Sequence, residues 1–329
     1  MLMVGDARDV VNVGGAAALE YTSAIECALT VRTWPPGGPM LSLALPKGSL
    51  EEQTLLLFAQ ADLEVKKSSR EYNPTIADPR IGKVKILRPQ EIPLFVADGH
   101  FDLGISGHDW VTESGADVVE VAELPYAKTG TGVVKMVLAV PDDSPVRSAA
   151  DIPPGSRIST EFPNVTRAFF ERLGIPVEVH FSYGATEAKV PEIMDALVDL
   201  TETGSTLRRN GLRIVDVVLE STTRLLANRA AWEDPEKRRA IEEIRTLLLG
   251  VIDARGRVLL SMNVPAARLD EVIAVLPAMK RPTVNQLYGS EDYEIMTVAD
   301  KATVNVLIPR LKGAGAEDIL ELPISKIVR

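Results

Sequence analysis

From residue 41 onward, short apolar runs alternate with stretches whose apolar positions recur at helical spacing. That alternation predicts an α/β fold with a largely parallel sheet. Residues 41–45 read as a buried strand. Pro46-Lys47-Gly48 then turns into a helix over 49–60, with Ser49 and Glu52 at capping-box spacing. Residues 84–87 form the next strand, 92–98 a helix, and 102–106 a strand ending at Gly107. The long apolar strand 133–140 meets the turn cluster Pro141-Asp142-Asp143-Ser144-Pro145, which marks a crossing into a second lobe.

The second lobe repeats the theme: a strand at 157–159, a helix over 164–173 with Asn164 as its N-cap, and strands at 177–181 and 196–200. Residues 201–206 turn into a helix ended by Asn210-Gly211, and 214–219 is a strand that can return to the first lobe. Two such lobes enclose a cleft, and open α/β sheets bind ligands at strand C-termini facing a crevice of this kind. Residues 232–249 read as one charged helix whose Glu236-Lys237-Arg238-Arg239 run is a solvated face. Beyond Gly250 the order is strand 258–264, helix 265–276, strands 283–287 and 293–298, helix 303–312 and strand 319–322. This βαββαβ order is the ferredoxin-like motif. Pro309 should kink the second of these helices or delay its start to about Asn305. The expected organisation is an extension at 1–39, lobe I at 40–139 and 213–248, lobe II at 140–212, and a ferredoxin-like domain at 249–329.

Composition narrows the function. Of 329 residues, 46 % are hydrophobic and 25 % charged, which excludes disorder as the main state. The 36 Lys and Arg against 46 Asp and Glu give a net charge of −10. An acidic chain argues against nucleic acid and anionic membrane as partners, yet it leaves room for a local basic pocket for a phosphorylated small molecule. No apolar run reaches the roughly 20 residues of a membrane helix. Asp6 and Asp9 stand where a secretory signal needs Lys or Arg. Trp34-Pro35-Pro36-Gly37-Gly38-Pro39 resembles a linker, so Met40 reads as the functional start and 1–39 as poorly ordered. Cys27, the only cysteine, has no intrachain partner, which fits a reducing compartment and a cytoplasmic protein. His100, His108 and His180 are too few and scattered for a zinc site.

The stretch from Asp195 to Leu207 carries the most chemistry: a short apolar strand ends at Asp199, and Thr201-Glu202-Thr203-Gly204-Ser205-Thr206 leads into a helix. A phosphate monoester at that helix start would meet free backbone N–H groups, the positive end of the helix dipole and three hydroxyls. Gly204 would let the backbone approach closely, and Asp199 could accept hydrogen bonds from ribose hydroxyls. The same residues could equally make an ordinary strand–turn–helix connection. The stretch has no Walker Gly-Lys-Ser/Thr, and no Gly-x-Gly-x-x-Gly follows any expected strand.

The Asp199–Thr206 loop with Leu207-Arg208-Arg209-Asn210-Gly211-Leu212 resembles the phosphoribosyl pyrophosphate (PRPP) motif of the ATP phosphoribosyltransferases, the first enzymes of histidine biosynthesis. The resemblance extends through Leu43-Ala44-Leu45-Pro46-Lys47-Gly48, Asp102-Leu103-Gly104-Ile105-Ser106-Gly107, and Tyr183-Gly184 with Glu187. It reaches the end of the chain through Gly250-Val251-Ile252-Asp253-Ala254-Arg255 and the segment from Arg268 to Pro277. It implies two lobes like those of periplasmic binding proteins, followed by the ferredoxin-like domain of the long form. The implied reaction joins adenine N1 of ATP to C1 of PRPP, with inversion and loss of pyrophosphate. Magnesium would be held by substrate oxygens and not by a dedicated protein cage.

By the resemblance, Asp199 would hold the ribose hydroxyls, Thr201, Thr203, Gly204, Ser205 and Thr206 would surround the 5-phosphate, and Asp195 would assist. Lys47 and Gly48 would face pyrophosphate and nucleotide. Arg70 would act on the departing pyrophosphate, with Arg88 a second candidate. Gly104, Ser106 and Gly107 would line the nucleotide pocket, and Glu187 would orient hydroxyls. Ser49 stands where many relatives carry Arg, which shifts the phosphate-binding share onto Lys47 and Arg70. The terminal domain would bind histidine as feedback inhibitor, with Asn263 and Thr283 near the effector, and would help assemble a homo-oligomer from dimer to hexamer. The competing reading is a two-lobed solute-binding or sensor protein.

Overall fold

The computed structural model describes residues 38, 40–68, 72–126, 132–277 and 281–329, and residues 39–329 form one unit. Apart from Gly38, the expected extension at 1–39 lies outside the described residues, as does Arg70. The chain enters the sheet at β1 (Leu41–Pro46), whose Leu41, Leu43, Ala44 and Leu45 are buried. Helix α1 (Glu51–Gln60) follows, and a two-residue hairpin pairs β2 (Val65–Lys66) with β3 (Thr75–Ile76). Then come β4 (Ile81–Leu87), α2 (Ile92–Ala97), β5 (Leu103–Gly107), α3 (His108–Ser114) and β6 (Val119–Leu124).

Two long strands carry the chain between lobes: β7 (Val133–Pro141) and β11 (Leu212–Ala227). The N-terminal portion of β11 pairs antiparallel with β7, and residues 223–227 pair with β5 on one side and β6 on the other. Lobe II lies between these strands in the chain: β8 (Arg157–Thr160), α4 (Pro163–Leu173), β9 (Glu178–Phe181), β10 (Ala196–Thr201) and α5 (Ser205–Arg209). The strand order β4-β1-β5-β11-β7-β10-β8-β9 runs through both lobes, with β1 parallel to β4 and β5, and β8 parallel to β9 and β10. One apolar core under lobe II gathers Met136, Leu138, Ile158, Phe162 and Phe170. The lobe I core includes Ala44, Ile92, Val96, Phe101 and Leu226.

Helices α6 (Arg229–Glu233) and α7 (Pro235–Ala254) replace the single expected charged helix. Pro235 and the Asp234 carboxylate, which accepts the Glu236 and Lys237 N–H groups, restart the helix there. The terminal domain comprises β12 (Arg257–Val264), α8 (Leu269–Val275), β13 (Thr283–Gln286), β14 (Tyr293–Asp300), α9 (Val304–Gly313) and β15 (Glu317–Pro323). Its antiparallel order β13-β14-β12-β15 is the ferredoxin-like arrangement. Val258, Leu260, Met262 and Val264 face its helices, while Leu259, Ser261 and Asn263 alternate onto the other face.

Several local expectations differ. Ser49 does not cap α1: the helix starts at Glu51 behind Leu50, and Glu51 Oε2 accepts the Gly48 N–H at 3.3 Å. Asn164 does not cap α4, because Pro163 already occupies its first turn and the cap position falls on Phe162. Helix α9 runs through Pro309 from Val304 without delay; the proline and Asn305, whose carbonyl it leaves unbonded, are both exposed, so water can serve that oxygen.

Candidate active site

A cavity of about 570 Å³ lies between the lobes, a volume ordinary for small-molecule sites. From lobe II, Asp199, the expected end of its strand, lies within β10, which runs two residues further to Thr201, and Thr201, Glu202, Thr203, Ser205 and Thr206 line one wall. Gly204 adopts φ +69°, the left-handed region where a side chain is strained, and its N–H donates to Thr201 Oγ1 at 2.8 Å. Arg208 reaches back so that its guanidinium donates to the Thr203 carbonyl at 3.0 Å, folding a cation under the turn. Because α5 spans only Ser205–Arg209, its dipole is small; the attraction for an anion comes from the first-turn amides and the hydroxyls.

Asp199 is held in an acidic neighbourhood. Burial pushes its carboxyl up to about 6, and the carboxylates of Glu161 and Glu187 push the same way. The Leu200 N–H, donating to Asp199 Oδ1 at 2.7 Å, and the Thr186 hydroxyl oppose the rise. Glu161 is itself raised by burial, with Lys189 opposing. Glu187 lines the cavity directly.

Lobe I supplies the facing lip. Ser49, Leu50, Pro89 and Gly107 line the cavity at the C-terminal ends of β1, β4 and β5. Lys47 lies on this lip and donates to Tyr72 Oη at 2.7 Å, 4.2 Å above the ring centre, and this contact lowers the Tyr72 pKa. Gly48, at φ +91°, has room for a side chain only as far as the Arg88 guanidinium, 3.9 Å from where a Cβ would sit. Sequence reasoning overlooked the floor: Asp109 and Trp110 on α3, Tyr126, and Ser221, Thr222 and Thr223 on the inter-lobe strand β11. Its one sequence signal is the strand-ending Gly107 followed by a carboxylate two positions later.

Behind the cavity the lobes are joined. Trp110 packs on Phe162 with ring centres 4.3 Å apart. The Glu113 carboxylate of α3 accepts the Asn164 N–H at 3.0 Å and the Val165 N–H at 2.9 Å, so an acid from lobe I serves the N-terminus of a lobe II helix. The Asn164 side chain returns a bond to the Glu113 carbonyl at 3.0 Å.

Other candidates fall elsewhere. Asp195 precedes β10 and is bound to Arg157, with 2.8 Å contacts to its backbone and guanidinium nitrogens. Asp199 lies four residues further along the chain, about 13 Å away at strand spacing. Gly104 is buried under α2, where a Cβ would meet Ile92 and Val96 at 2.6 and 2.7 Å, and Ser106 donates to the Pro89 carbonyl at 2.7 Å. Both shape the wall from behind. In the terminal domain, Asn263 donates to Asp318 at 3.0 Å, and Thr283 is exposed opposite Met296.

Fold and site together define a two-lobed α/β protein with a polar, hydroxyl-lined cavity between its lobes. A family model described as ATP phosphoribosyltransferase matches residues 88–250, and one described as the HisG C-terminal domain matches 254–326. The chain is 50 % identical over 288 residues to an ATP phosphoribosyltransferase of Desulforudis audaxviator, covering 88 % of this chain and 99 % of that protein. Over the same shares it is 48 % identical to one of Pelotomaculum thermopropionicum. A solved ATP phosphoribosyl transferase (HisG:HisZ) complex from Thermotoga maritima matches 64 % of this chain and 99 % of its own at 28 % identity and TM-score 0.54. The chain belongs to the ATP phosphoribosyltransferase family, a family of transferases in histidine biosynthesis.

Proposed function

We propose that the inter-lobe cavity binds PRPP against lobe II and ATP against lobe I, and transfers the phosphoribosyl group to adenine N1. The observation that carries this reading is that Asp199 and the hydroxyl-lined turn after it open on the same cavity as Gly107 and the 49–50 lip. Asp199, ionised, accepts the ribose hydroxyls. Thr203, Ser205 and Thr206 direct hydroxyls and first-turn amides at the 5-phosphate, and Thr201 braces the turn through Gly204. Glu187 orients the ribose from the side. Lys47, released from Tyr72, and Arg88 stand on the lobe I lip for pyrophosphate, a role shared with Arg70.

Pyrophosphate leaves readily, so the protein's contribution is to align two polyanions and to receive charge as the C1–O bond loosens. Three facing carboxylates would repel bare polyanions. Magnesium carried on the substrate oxygens would offset the charge of those carboxylates.

Histidine inhibition and homo-oligomer formation we place on the terminal domain. Asn263 and Thr283 fall on the same helix-free face of its sheet, two strands apart, alongside the exposed Leu320 and Leu322. Among the described residues no helix is long and apolar enough to cross a membrane, and with a lone Cys27 the chain suits the cytoplasm. Purified protein with ATP, PRPP and magnesium should form the adduct, followed by rising absorbance of the modified adenine. No turnover while pyrophosphate is removed enzymatically would refute the assignment.

A further inference from the structure

We propose that Asp109 is the base of the transfer, taking one proton from the exocyclic amino group of adenine as N1 attacks C1. This rests on reading the inter-lobe cavity as the active site. Asp109 stands in the first turn of α3, two residues beyond Gly107, and belongs to the cavity wall opposite the Asp199 turn. Its side chain is only 5 % exposed, and among the described residues Oδ1 has no hydrogen-bond partner. Buried carboxylates are nearly always partnered, because an unsatisfied one costs free energy without return. Here the group is held by the Trp110 N–H and the Ser221 hydroxyl, and the one oxygen left open is free to meet a ligand.

The surroundings preserve that state. A Cβ at Gly107 would lie 1.9 Å from Oδ1, so a side chain at this position would evict the carboxyl. Ser221 Oγ takes the Asp109 N–H at 3.0 Å and fixes the backbone from β11. The charged groups around it are engaged elsewhere. On its own helix, His108 is turned to Glu120 at 3.1 Å and Glu113 to α4. On β11, Arg224 pairs with Glu120 and Glu123. From lobe II, the carboxylates Glu187, Asp199 and Glu202 line the cavity with it. No Lys or Arg among the described residues is ion-paired with Asp109. Burial raises its pKa, opposed by hydrogen bonds from the Trp110 N–H, the Ser221 hydroxyl and its own N–H and, least, by His108; the net rise suits a group that must accept a proton and later return it. Thr222 Oγ1, also buried without a partner, lines the same cavity and offers a second polar contact to the purine edge.

The step balances. The N1 lone pair forms the N1–C1 bond, and the C1–O bond breaks with its electron pair leaving on pyrophosphate. The purine, cationic after alkylation, loses one N6 proton to the Asp109 carboxylate and becomes a neutral N6-imino product. In the reverse reaction the protonated Asp109 returns that proton, restoring the amino group as N1 departs.

The test is Asp109→Asn in the full chain, assayed in both directions across pH. Expected is a fall in kcat of roughly 100- to 1000-fold, within the range for general base catalysis. The KM for PRPP should stay within about twofold, and the acidic limb of the wild-type kcat profile should vanish. The melting temperature at pH 8 should hold or rise, because the substitution removes a buried charge; a merely structural carboxylate would instead lower it. Should the variant fail to fold, the wild-type profiles decide. Forward kcat must rise and reverse kcat fall with pH through one shared group, and flat profiles overturn the proposal. An Asn variant keeping more than half of wild-type kcat, or one whose loss appears only in KM for PRPP, also overturns it. Those results leave the site itself standing. A wild-type protein that makes no adduct from ATP and PRPP overturns site and base together.

Discussion

Replacing Asp199 by Asn separates what this carboxylate does for folding from what it does for substrate. The carboxyl rises from 3.8 to about 6 in the folded protein. At 1.36 kcal/mol for each factor of ten, that corresponds to about 3 kcal/mol of disfavour for the ionised form. Asp199 is only half-buried, so solvent screening reduces the expected effect to about 1–2 kcal/mol. The sign follows from proton binding: between pH 3.8 and 6 the folded state holds more protons than the unfolded one, so stability falls as pH rises through that window and stays lower above it. Asp199→Asn should therefore stabilise the substrate-free protein at pH 8 and make little difference near pH 4. Urea unfolding at the two pH values reads this directly. PRPP should show the opposite: the amide is a poorer acceptor for two ribose hydroxyls, and its KM should rise by roughly 10- to 100-fold. A variant less stable than wild type at pH 8, or equally affected at both pH values, would show that Asp199 is satisfied within the fold and not held for a ligand.

Gly204→Ala places a Cβ at φ +69°, 3.1 Å from the Arg208 guanidinium and 3.2 Å from Ile214, and should cost about 1–2 kcal/mol in denaturant unfolding while raising the KM for PRPP. Tyr126→Phe removes the 2.7 Å contact with Thr54, whose hydroxyl is also bonded to the Leu50 carbonyl; a loss of about 1 kcal/mol in thermal unfolding is expected, and a loss above about 3 would point to a wider network. Glu113→Gln sets an amide against the α4 amides, and about 1–2 kcal/mol of destabilisation with a shift in Trp110 fluorescence should follow as the Phe162 contact loosens. Lys47→Met should raise the KM for pyrophosphate in the reverse reaction and leave that for the adduct little changed.

Elements with strong periodicity were legible in the chain itself. The runs at 41–45 and 133–140 lie in β1 and β7, and the βαββαβ order after Gly250 is present. What escaped has physical reasons. Strand β6 was not assigned: it carries Glu120 and Glu123, and both acids are taken up by Arg224 across the ladder. Ser49 had the right spacing for a cap, but helix entry is decided by backbone geometry, and Glu51 satisfies the Gly48 amide instead. Asp195 and Asp199 share a strand face, and only the three-dimensional structure says which end opens on the cleft. Asp109 was silent because its significance lies in one buried oxygen without a partner, which no spacing can reveal.

The bond between Glu113 and the amides of α4, with Trp110 against Phe162 beside it, fastens the rear of the two halves while the front stays open. A flytrap motion, in which halves swing about their connecting strands to engulf a solute, would have to tear out a buried carboxylate and pull apart a pair of stacked rings. The jaw is thus set at a fixed gape when the chain folds. Selectivity then depends on the shape of that gape and on the small turns along its rim, and the effector proposed for the terminal domain would have rim geometry, rather than jaw angle, as its lever.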